Sequence, residues 1–308
     1  MIITCVIANT SYAARIAYIS PDLSIPFWQS MAEGLQLQAQ ASGHEVLLFD
    51  SQNSARLELE NTVQALRSEL AALVISPTTS STAVTLLRLA KNAGVPVVIA
   101  DIGTEQGEYL SFIKSGNYQG GYTLGTILAD AMHASNIAAG RVGVIAIPQT
   151  RLNGRERTAG FVQALKYADI KMAGIRQQKT FSYNETYRYA KELIRNFADL
   201  RALWLQGGKH YKAVLQAVEE SGRREKILLI CFDALPEFLP LIADGTLLAS
   251  ALQQPKLMGE TAVRVIDDYL RGVPVSAEIE VPVLTITTDN LNQIKDNLLE
   301  NAPSVDHD

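Results

Sequence analysis

Cysteine and histidine are scarce in this chain of 308 residues. The two cysteines, Cys5 and Cys231, do not indicate a disulfide framework, and Cys231 lies in an apolar run where a small buried hydrophobe is expected. The four histidines have none of the spacings of a metal site. We therefore expect neither a disulfide-stapled module nor a bound metal.

Catalytic signatures are also lacking. The sequence contains no G-x-S-x-G, no G-x-x-x-x-G-K-[ST] and no H-E-x-x-H. The glycines of Gly116–Gly121 do not have the G-x-G-x-x-G spacing, so a nucleotide site is not indicated. Neither an enzyme nor a cofactor is therefore predicted.

Excess positive charge and long apolar runs are absent too. With 27 Lys and Arg against 32 Asp and Glu, the net charge is -5, which gives no basic surface for nucleic acid. No segment reaches the roughly 20 apolar residues that span a bilayer. The hydrophobic content of 47% instead indicates a globular chain with an ample core, long enough for two medium domains.

The first residues allow two interpretations. Ile2–Ala8 is a short apolar run, and Ser11–Ala13 supplies small residues of the kind that signal peptidase recognises. A basic segment before the run is missing, since the first basic residue is Arg15. Residues 1–13 are therefore either the remnant of an export signal, which we favour and which predicts a periplasmic protein, or a buried first strand.

Strand and helix patterns alternate along the chain, which is typical of parallel sheets covered by helices. The carboxyl ends of parallel strands face one crevice, where ligands bind. The clearest strand candidates, each with a polar end, are Ala14–Ser20, Val95–Asp101, Ile227–Asp233 and Leu247–Gln254. The alternation restarts near Ser115–Gly121, which favours two sheets of five to six strands over one large sheet.

Several segments match one known family in order over about Arg15–Thr288. They are Pro21–Trp28, Asp50–Asn53, Ala93–Asp101, Arg155–Phe161, Phe232–Asp233 and Ala249–Pro255, followed by Gly259. Together they resemble the ribose-binding-like periplasmic binding proteins, whose fold the LacI-type repressor cores share. The resemblance implies an α/β fold of two Rossmann-like lobes with parallel sheets, joined by a three-crossover hinge that closes on a sugar.

The same resemblance implies a division of the chain. Residues 14–115 and 254–282 are expected to form the N-terminal lobe, and residues 116–253 and 283–300 the C-terminal lobe. Residues 301–308 are expected to be a disordered tail. A monomer is expected.

The resemblance also assigns ligand-binding positions. These are Phe27, Trp28, Asp101, Asn117, Arg155, Phe181, Asp233 and Gln253. Alternatives remain open for most of them. Asp101 and Asp233 could cap helices, Arg155 could be solvated beside Arg151 and Arg157, and the aromatic residues could belong to the core. Strand alternation sends either Gln253 or Gln254 into the cleft, and we choose Gln253.

Three positions depart from the family pattern. Ile25, Ile102 and Gly207-Gly208 stand where the family often has Asn, Arg and Asn-Asp. A site with fewer polar groups leaves the hydroxyls of a fully hydroxylated sugar unpaired. We therefore expect a deoxy or smaller sugar, a cyclic polyol or another small molecule. Lys209, His210 and Tyr211 either reach into the cleft or form an exposed helix start.

The predicted function is that of an extracytoplasmic solute-binding protein that presents a sugar-like ligand to a membrane ABC permease. The alternative is a periplasmic ligand-sensing receptor that acts with a membrane histidine kinase or chemoreceptor. A repressor core would need a DNA-binding head of roughly 50–60 residues. Only about 13 residues precede the first strand, which disfavours that third hypothesis and a nucleic-acid partner.

Overall fold

Short aliphatic runs form the strands. All four residues of Ala72–Ile75 are buried, as expected for a parallel strand that is covered by helices on both faces. The computed structural model describes residues 13–301 of the chain. The predicted export signal over residues 1–13 and the predicted tail over 301–308 therefore lie outside the described residues, except for Ala13 and Asn301.

The first sheet has six strands, all in parallel pairs, in the order β11-β5-β4-β3-β1-β2. Its strands are β1 (Arg15–Ser20), β2 (Glu45–Asp50), β3 (Ala72–Ile75), β4 (Val97–Ala100), β5 (Ser111–Ser115) and β11 (Glu278–Val281).

The second sheet repeats this order as β12-β10-β9-β8-β6-β7, with β12 antiparallel to β10. Its strands are β6 (Arg141–Ala146), β7 (Lys171–Gln177), β8 (Leu200–Leu205), β9 (Leu228–Phe232), β10 (Ala249–Leu252) and β12 (Leu284–Ile286). The two sheets thus have the same strand order and differ only in the direction of the edge strand, β11 or β12.

Ten α-helices lie within the described residues, nine between strands and one after the last strand. They are α1 (Pro26–Ala41), α2 (Ala55–Leu66), α3 (Ser80–Asn92), α4 (Asn117–Ala134), α5 (Leu152–Tyr167), α6 (Tyr183–Asn196), α7 (Tyr211–Glu220), α8 (Phe238–Ala243), α9 (Pro255–Leu270) and α10 (Leu291–Asn301). Proline at the first position starts α1 and α9, while Ser54, Thr79 and Ser182 cap α2, α3 and α6 through their hydroxyls.

The chain passes between the two sheets three times. The crossings lie between β5 and α4, between β10 and α9, and between β11 and β12. Each sheet with its helices is called a lobe below, the first lobe being that of β1. The predicted architecture, two α/β lobes built on largely parallel sheets and joined by three crossings, is confirmed.

Helices α4 and α5 of the second lobe lie in direct backbone contact. A Cβ atom on Gly121 would stand 2.3 Å from the Arg157 carbonyl oxygen, and one on Gly160 would stand 2.0 Å from the Tyr118 carbonyl oxygen. Only glycine allows this approach, and it brings the start of α4 against the first turns of α5.

Some element boundaries differ from the sequence-based expectation. The sequence pattern alone predicts a strand near Ile175–Thr180. In the structure, β7 begins at Lys171 and is irregular where it pairs with β6, with Gly174 at φ 143°. This irregularity hides the strand pattern. Among the helices of residues 13–301, none has the length and apolar character needed to cross a membrane.

Candidate ligand-binding site

The carboxyl ends of both sheets face a common cavity between the lobes. The first lobe contributes the start of α1 and the residue after β4, and the second contributes the residues after β6, β8 and β9. Of the eight sequence-predicted residues, six line this cavity. They are Phe27, Trp28, Asp101, Phe181, Asp233 and Gln253.

Asp101 directly follows β4 and is buried, with a left-handed backbone at φ 63°. Its Oδ2 accepts a 2.6 Å hydrogen bond from Nδ2 of Asn153 in the other lobe, whereas its Oδ1 is buried without a partner within residues 13–301. Burial raises the pKa of this carboxyl to about 6, although the nearby Arg157 opposes the shift. No helix begins until α4, so Asp101 is not a helix cap.

Asp233 directly follows β9 and also has a left-handed backbone, at φ 68°. Its Oδ1 accepts hydrogen bonds from Nε2 of Gln253 and, at 3.5 Å, from Nη1 of Arg157. Burial raises the pKa of the Asp233 carboxyl, and Arg157 opposes that rise. Because α8 begins only at Phe238, the helix-cap alternative fails here too.

Arg157 is a buried cation that lines the cavity, with 2% exposure. Its Nε donates to Oδ1 of Asn117 at 2.8 Å, its Nη1 donates to the Gln206 carbonyl oxygen at 3.0 Å, and its guanidinium lies 4.0 Å from the centre of the Phe232 ring. Nη2 has no hydrogen bond among the described residues. Asn117 does not line the cavity, but it orients Arg157 from behind.

The sequence-based choice of Arg155 is corrected by the structure. Arg155 is exposed, lies outside the cavity, and donates from Nη1 to the Gln149 carbonyl oxygen at 3.2 Å. Two residues along an α-helix differ by roughly 200° in direction, so Arg155 and Arg157 point to opposite sides of α5. Arg157 takes the position that was expected for Arg155.

Arg151 is a second buried cation that sequence reasoning missed as a cavity residue. It precedes α5 in the second lobe and reaches the first lobe, where its Nε donates to the Thr78 carbonyl oxygen at 2.9 Å and its Nη2 to Oδ1 of Asn53 at 2.8 Å. Its guanidinium lies 5.2 Å from the centre of the Phe181 ring. Burial lowers the pKa of Arg151 to about 10.

The lobes are in contact through further hydrogen bonds around the cavity. The Leu152 amide donates to Oγ of Ser80 at 2.9 Å, and the Ser80 amide donates to the Thr150 carbonyl oxygen at 3.2 Å. On another side, Nζ of Lys209 donates to Oγ of Ser24 at 3.2 Å. The structure is therefore a closed arrangement of the two lobes.

Aromatic rings form part of the cavity wall. Phe27 and Trp28 pack edge to face, with their ring centres 4.7 Å apart, and Trp28 also belongs to the first-lobe core. Phe181 has a left-handed backbone at φ 49°, so three non-glycine cavity residues share this uncommon conformation. Such strained positions cluster at functional sites.

The structure distinguishes the two neighbouring glutamines. Gln253 is buried and lines the cavity, and no described residue forms a hydrogen bond with its Oε1. Gln254 points elsewhere, with Nε2 donating to the Pro282 carbonyl oxygen at 2.9 Å.

The three departures from the family pattern have different outcomes. Ile25 and Gly207 line the cavity, whereas Ile102 is fully buried in the first-lobe core. A Cβ on Gly207 would contact nothing closer than Cγ2 of Ile147 at 3.5 Å, so Gly207 leaves space beside that side chain.

Part of the segment after Gly207 lines the cavity. Position 208 has no room for a side chain, since a Cβ on Gly208 would lie 2.3 Å from the Asp233 carbonyl oxygen. Lys209 and His210 line the cavity, but Tyr211 packs edge to face against Phe238 instead.

Sequence reasoning also missed Asn301, the last residue of α10. It lines the cavity, although residues 301–308 were expected to form a tail.

Comparisons with known proteins agree with this architecture. Residues 16–274 match the model of the periplasmic binding protein domain family. The ribose import binding protein of Bacillus subtilis is 30% identical over 262 residues, which cover 85% of this chain and 83% of that protein. The D-ribose/D-allose-binding protein of Pseudomonas aeruginosa is 24% identical over 92% of both chains.

Solved structures share the fold. One is the periplasmic binding protein component of the arabinose ABC transporter from Shewanella, bound to α- and β-L-arabinofuranose. It has a TM-score of 0.85 and 20% identity, and the match covers 96% of this chain and 98% of that one. A carbohydrate transporter solute-binding protein from Agrobacterium radiobacter, in complex with D-arabinose, has a TM-score of 0.85 and 21% identity over 93% and 98% of the two chains.

Proposed function

This chain belongs to the periplasmic binding protein domain family, and on that premise we propose that it is an extracytoplasmic solute-binding protein. It binds a sugar or sugar-like molecule between its lobes and presents that ligand to an ABC permease. The names of its relatives support this proposal, because they are import or binding proteins for ribose and related sugars. The same names favour transport over the sensory alternative.

The observation that carries the proposal is a set of unpaired acceptors in the cavity. Oδ1 of Asp101 and Oε1 of Gln253 are buried and have no hydrogen-bond partners among the residues that the structure describes. A buried acceptor that lacks a donor costs about 1–3 kcal/mol, so a ligand that supplies donors is stabilised there. Sugar hydroxyls are such donors, and they bind carboxylates through charge-assisted hydrogen bonds.

The other walls fit a sugar ring. Phe27, Trp28 and Phe181 present aromatic surface to the cavity, which covers the C–H face of a ring. The cavity volume of about 100 Å³ is of the same order as the roughly 150 Å³ of a cavity that holds benzene. Space for one small ring favours a monosaccharide over an oligosaccharide.

The proposed mechanism is closure that the ligand stabilises. Asp101, Phe27 and Trp28 act from the first lobe, and Arg157 and Asp233 act from the second. A ligand that contacts both groups binds the closed form more tightly than the open form and shifts the population toward closure. The three crossings between the sheets serve as the hinge.

We also propose a binding role without catalysis. The two cavity carboxylates are each engaged by an amide side chain, Asp101 by Asn153 and Asp233 by Gln253. Neither carboxylate has an adjacent serine, cysteine or lysine nucleophile within hydrogen-bonding distance among the described residues. Their arrangement serves to hold hydroxyls rather than to activate a nucleophile.

A calorimetric and thermal-shift screen of pentoses, hexoses and polyols tests the proposal. A ligand at 100 times its Kd adds about 2.7 kcal/mol of stability, which raises the melting temperature by several degrees. Binding should fall strongly in Asp233→Asn, whereas the exposed Arg155→Ala variant should bind like the native protein. Absence of binding by every sugar and polyol would contradict the proposal.

A further inference from the structure

The C-terminal helix α10 lies outside the segment that the family model matches. The family model matches residues 16–274, and α10 spans Leu291–Asn301. Helix α10 contacts α8 of the second lobe and also α9, which packs on the first lobe. It therefore lies where the two lobes meet.

The position of α10 is fixed along its length. Before its start, Nδ2 of Asn290 donates to the Thr285 carbonyl oxygen at 2.7 Å, while Oδ1 of Asn290 accepts from the Thr287 amide at 2.9 Å. In its middle, Ile294 and Leu298 are buried in the second-lobe core. The end of the helix is thus held at a defined place.

That end is Asn301, whose side chain lines the interlobe cavity. Its Nδ2 donates to the Asn297 carbonyl oxygen at 2.9 Å. Because a carbonyl oxygen accepts only from the NH2 group, this bond fixes the orientation of the side-chain amide. The remaining atom, Oδ1, is buried and has no hydrogen-bond partner in the described part of the chain, residues 13–301.

Oδ1 of Asn301 is one of four buried polar atoms that line the cavity without a hydrogen-bond partner among residues 13–301. The others are Oδ1 of Asp101, Oε1 of Gln253 and Oγ of Ser30. Buried acceptors without partners are uncommon in folded proteins and call for an explanation. We propose that Asn301 binds the ligand, accepting a hydrogen bond from a ligand hydroxyl, and so makes α10 a third element of the site. This inference rests on the proposed sugar-binding function.

Two substitutions separate the lost acceptor from a change in volume. Asn301→Ala removes the acceptor and opens space, whereas Asn301→Leu removes it and keeps the space filled. Asn297→Ala is the matched control, since Asn297 is the same residue type on the same helix and its side chain is exposed. Ligand-free thermal unfolding of each variant reports whether α10 remains packed.

The probes are D-ribose, L-arabinose, D-allose and D-galactose, measured by isothermal titration calorimetry on the full chain. We expect both Asn301 variants to lose about five- to tenfold in affinity for the sugar that the native protein binds best, with Asn297→Ala unchanged. Equal affinity in native protein and both Asn301 variants would overturn the role of Asn301 alone. If native protein binds none of the four sugars, the role of Asn301 is overturned together with sugar binding.

Discussion

Asp101 and Asp233 occupy equivalent positions in the two lobes. Each is the first residue after its strand, β4 or β9, and each has a left-handed backbone. The Asp101 amide donates to the Ile113 carbonyl oxygen of β5, and the Asp233 amide donates to the Ala251 carbonyl oxygen of β10. The repeated topology therefore delivers one carboxylate from each lobe to the cavity.

This shared conformation determines which substitutions are informative. Left-handed backbone costs roughly 1–2 kcal/mol for most residues, whereas Asn and Asp adopt it more readily. Asparagine therefore removes the charge of Asp101 or Asp233 and preserves the backbone, whereas alanine adds strain.

Asp101 should make stability depend on pH. Its pKa is about 6 in the folded protein against 3.8 for the free side chain, so the folded state binds the proton more tightly. The contribution to stability is then fully present below about pH 4 and is lost as the pH rises through 6, with a total of about 3 kcal/mol. Asp101→Asn should flatten this part of the profile.

Urea unfolding between pH 4 and 7 measures the difference in the free energy of unfolding between native protein and Asp101→Asn. Arg157, Arg151 and Asp233 are the charged groups that act on Asp101, and they are present in both proteins. A native profile that has the same slope as the variant over this range would contradict the prediction.

Arg157 and Arg155 form a matched pair for mutation. Arg157→Met should weaken sugar binding by about 10- to 100-fold, because it removes a buried guanidinium and leaves the Asp233 carboxylate without its cation. It should also lower the melting temperature, since Asn117 and the Gln206 carbonyl lose their donor. Arg155→Met should change neither quantity, as calorimetry and thermal unfolding can establish.

Arg151 should favour the closed form without any ligand. It reaches from the second lobe to the Thr78 carbonyl oxygen and to Asn53 of the first. Arg151→Met should open the ligand-free protein and reduce apparent affinity in proportion to the lost closed fraction. Small-angle scattering should give a larger radius of gyration for the ligand-free variant, and a radius equal to that of native protein would count against this role.

The sequence predicts the fold well because parallel strands that are buried on both faces are uninterrupted aliphatic runs. It also indicates where Asp101 and Asp233 lie, since each ends such a run, and both line the cavity in the structure. The sequence did not show which of Arg155 and Arg157 faces the cavity, because a family match does not fix which side of α5 points toward it. Arg151 and Asn301 could not be found, since they reach the cavity only through the contact between lobes and the packing of α10.

Gly207 and Gly208 are neighbours, but we predict that alanine affects stability at Gly208 and ligand binding at Gly207. Gly208→Ala should destabilise the protein by about 1–3 kcal/mol, because its Cβ would lie 2.3 Å from the Asp233 carbonyl oxygen and would force the strand end to move. Gly207→Ala should fold normally, since its backbone is extended and its Cβ would meet Ile147 at an ordinary 3.5 Å.

The added methyl group of Gly207→Ala instead occupies space that belongs to the ligand. We expect it to weaken the binding of sugars that carry a substituent beside Ile147 and Asp233. The binding of smaller sugars should not change, so the relative affinities for pentoses and hexoses should shift. Urea unfolding measures the first effect, and calorimetry with matched pentose and hexose pairs measures the second. If both variants lost the same stability, Gly207 would be needed for the backbone conformation, as Gly208 is, and would not determine which ligand fits the cavity.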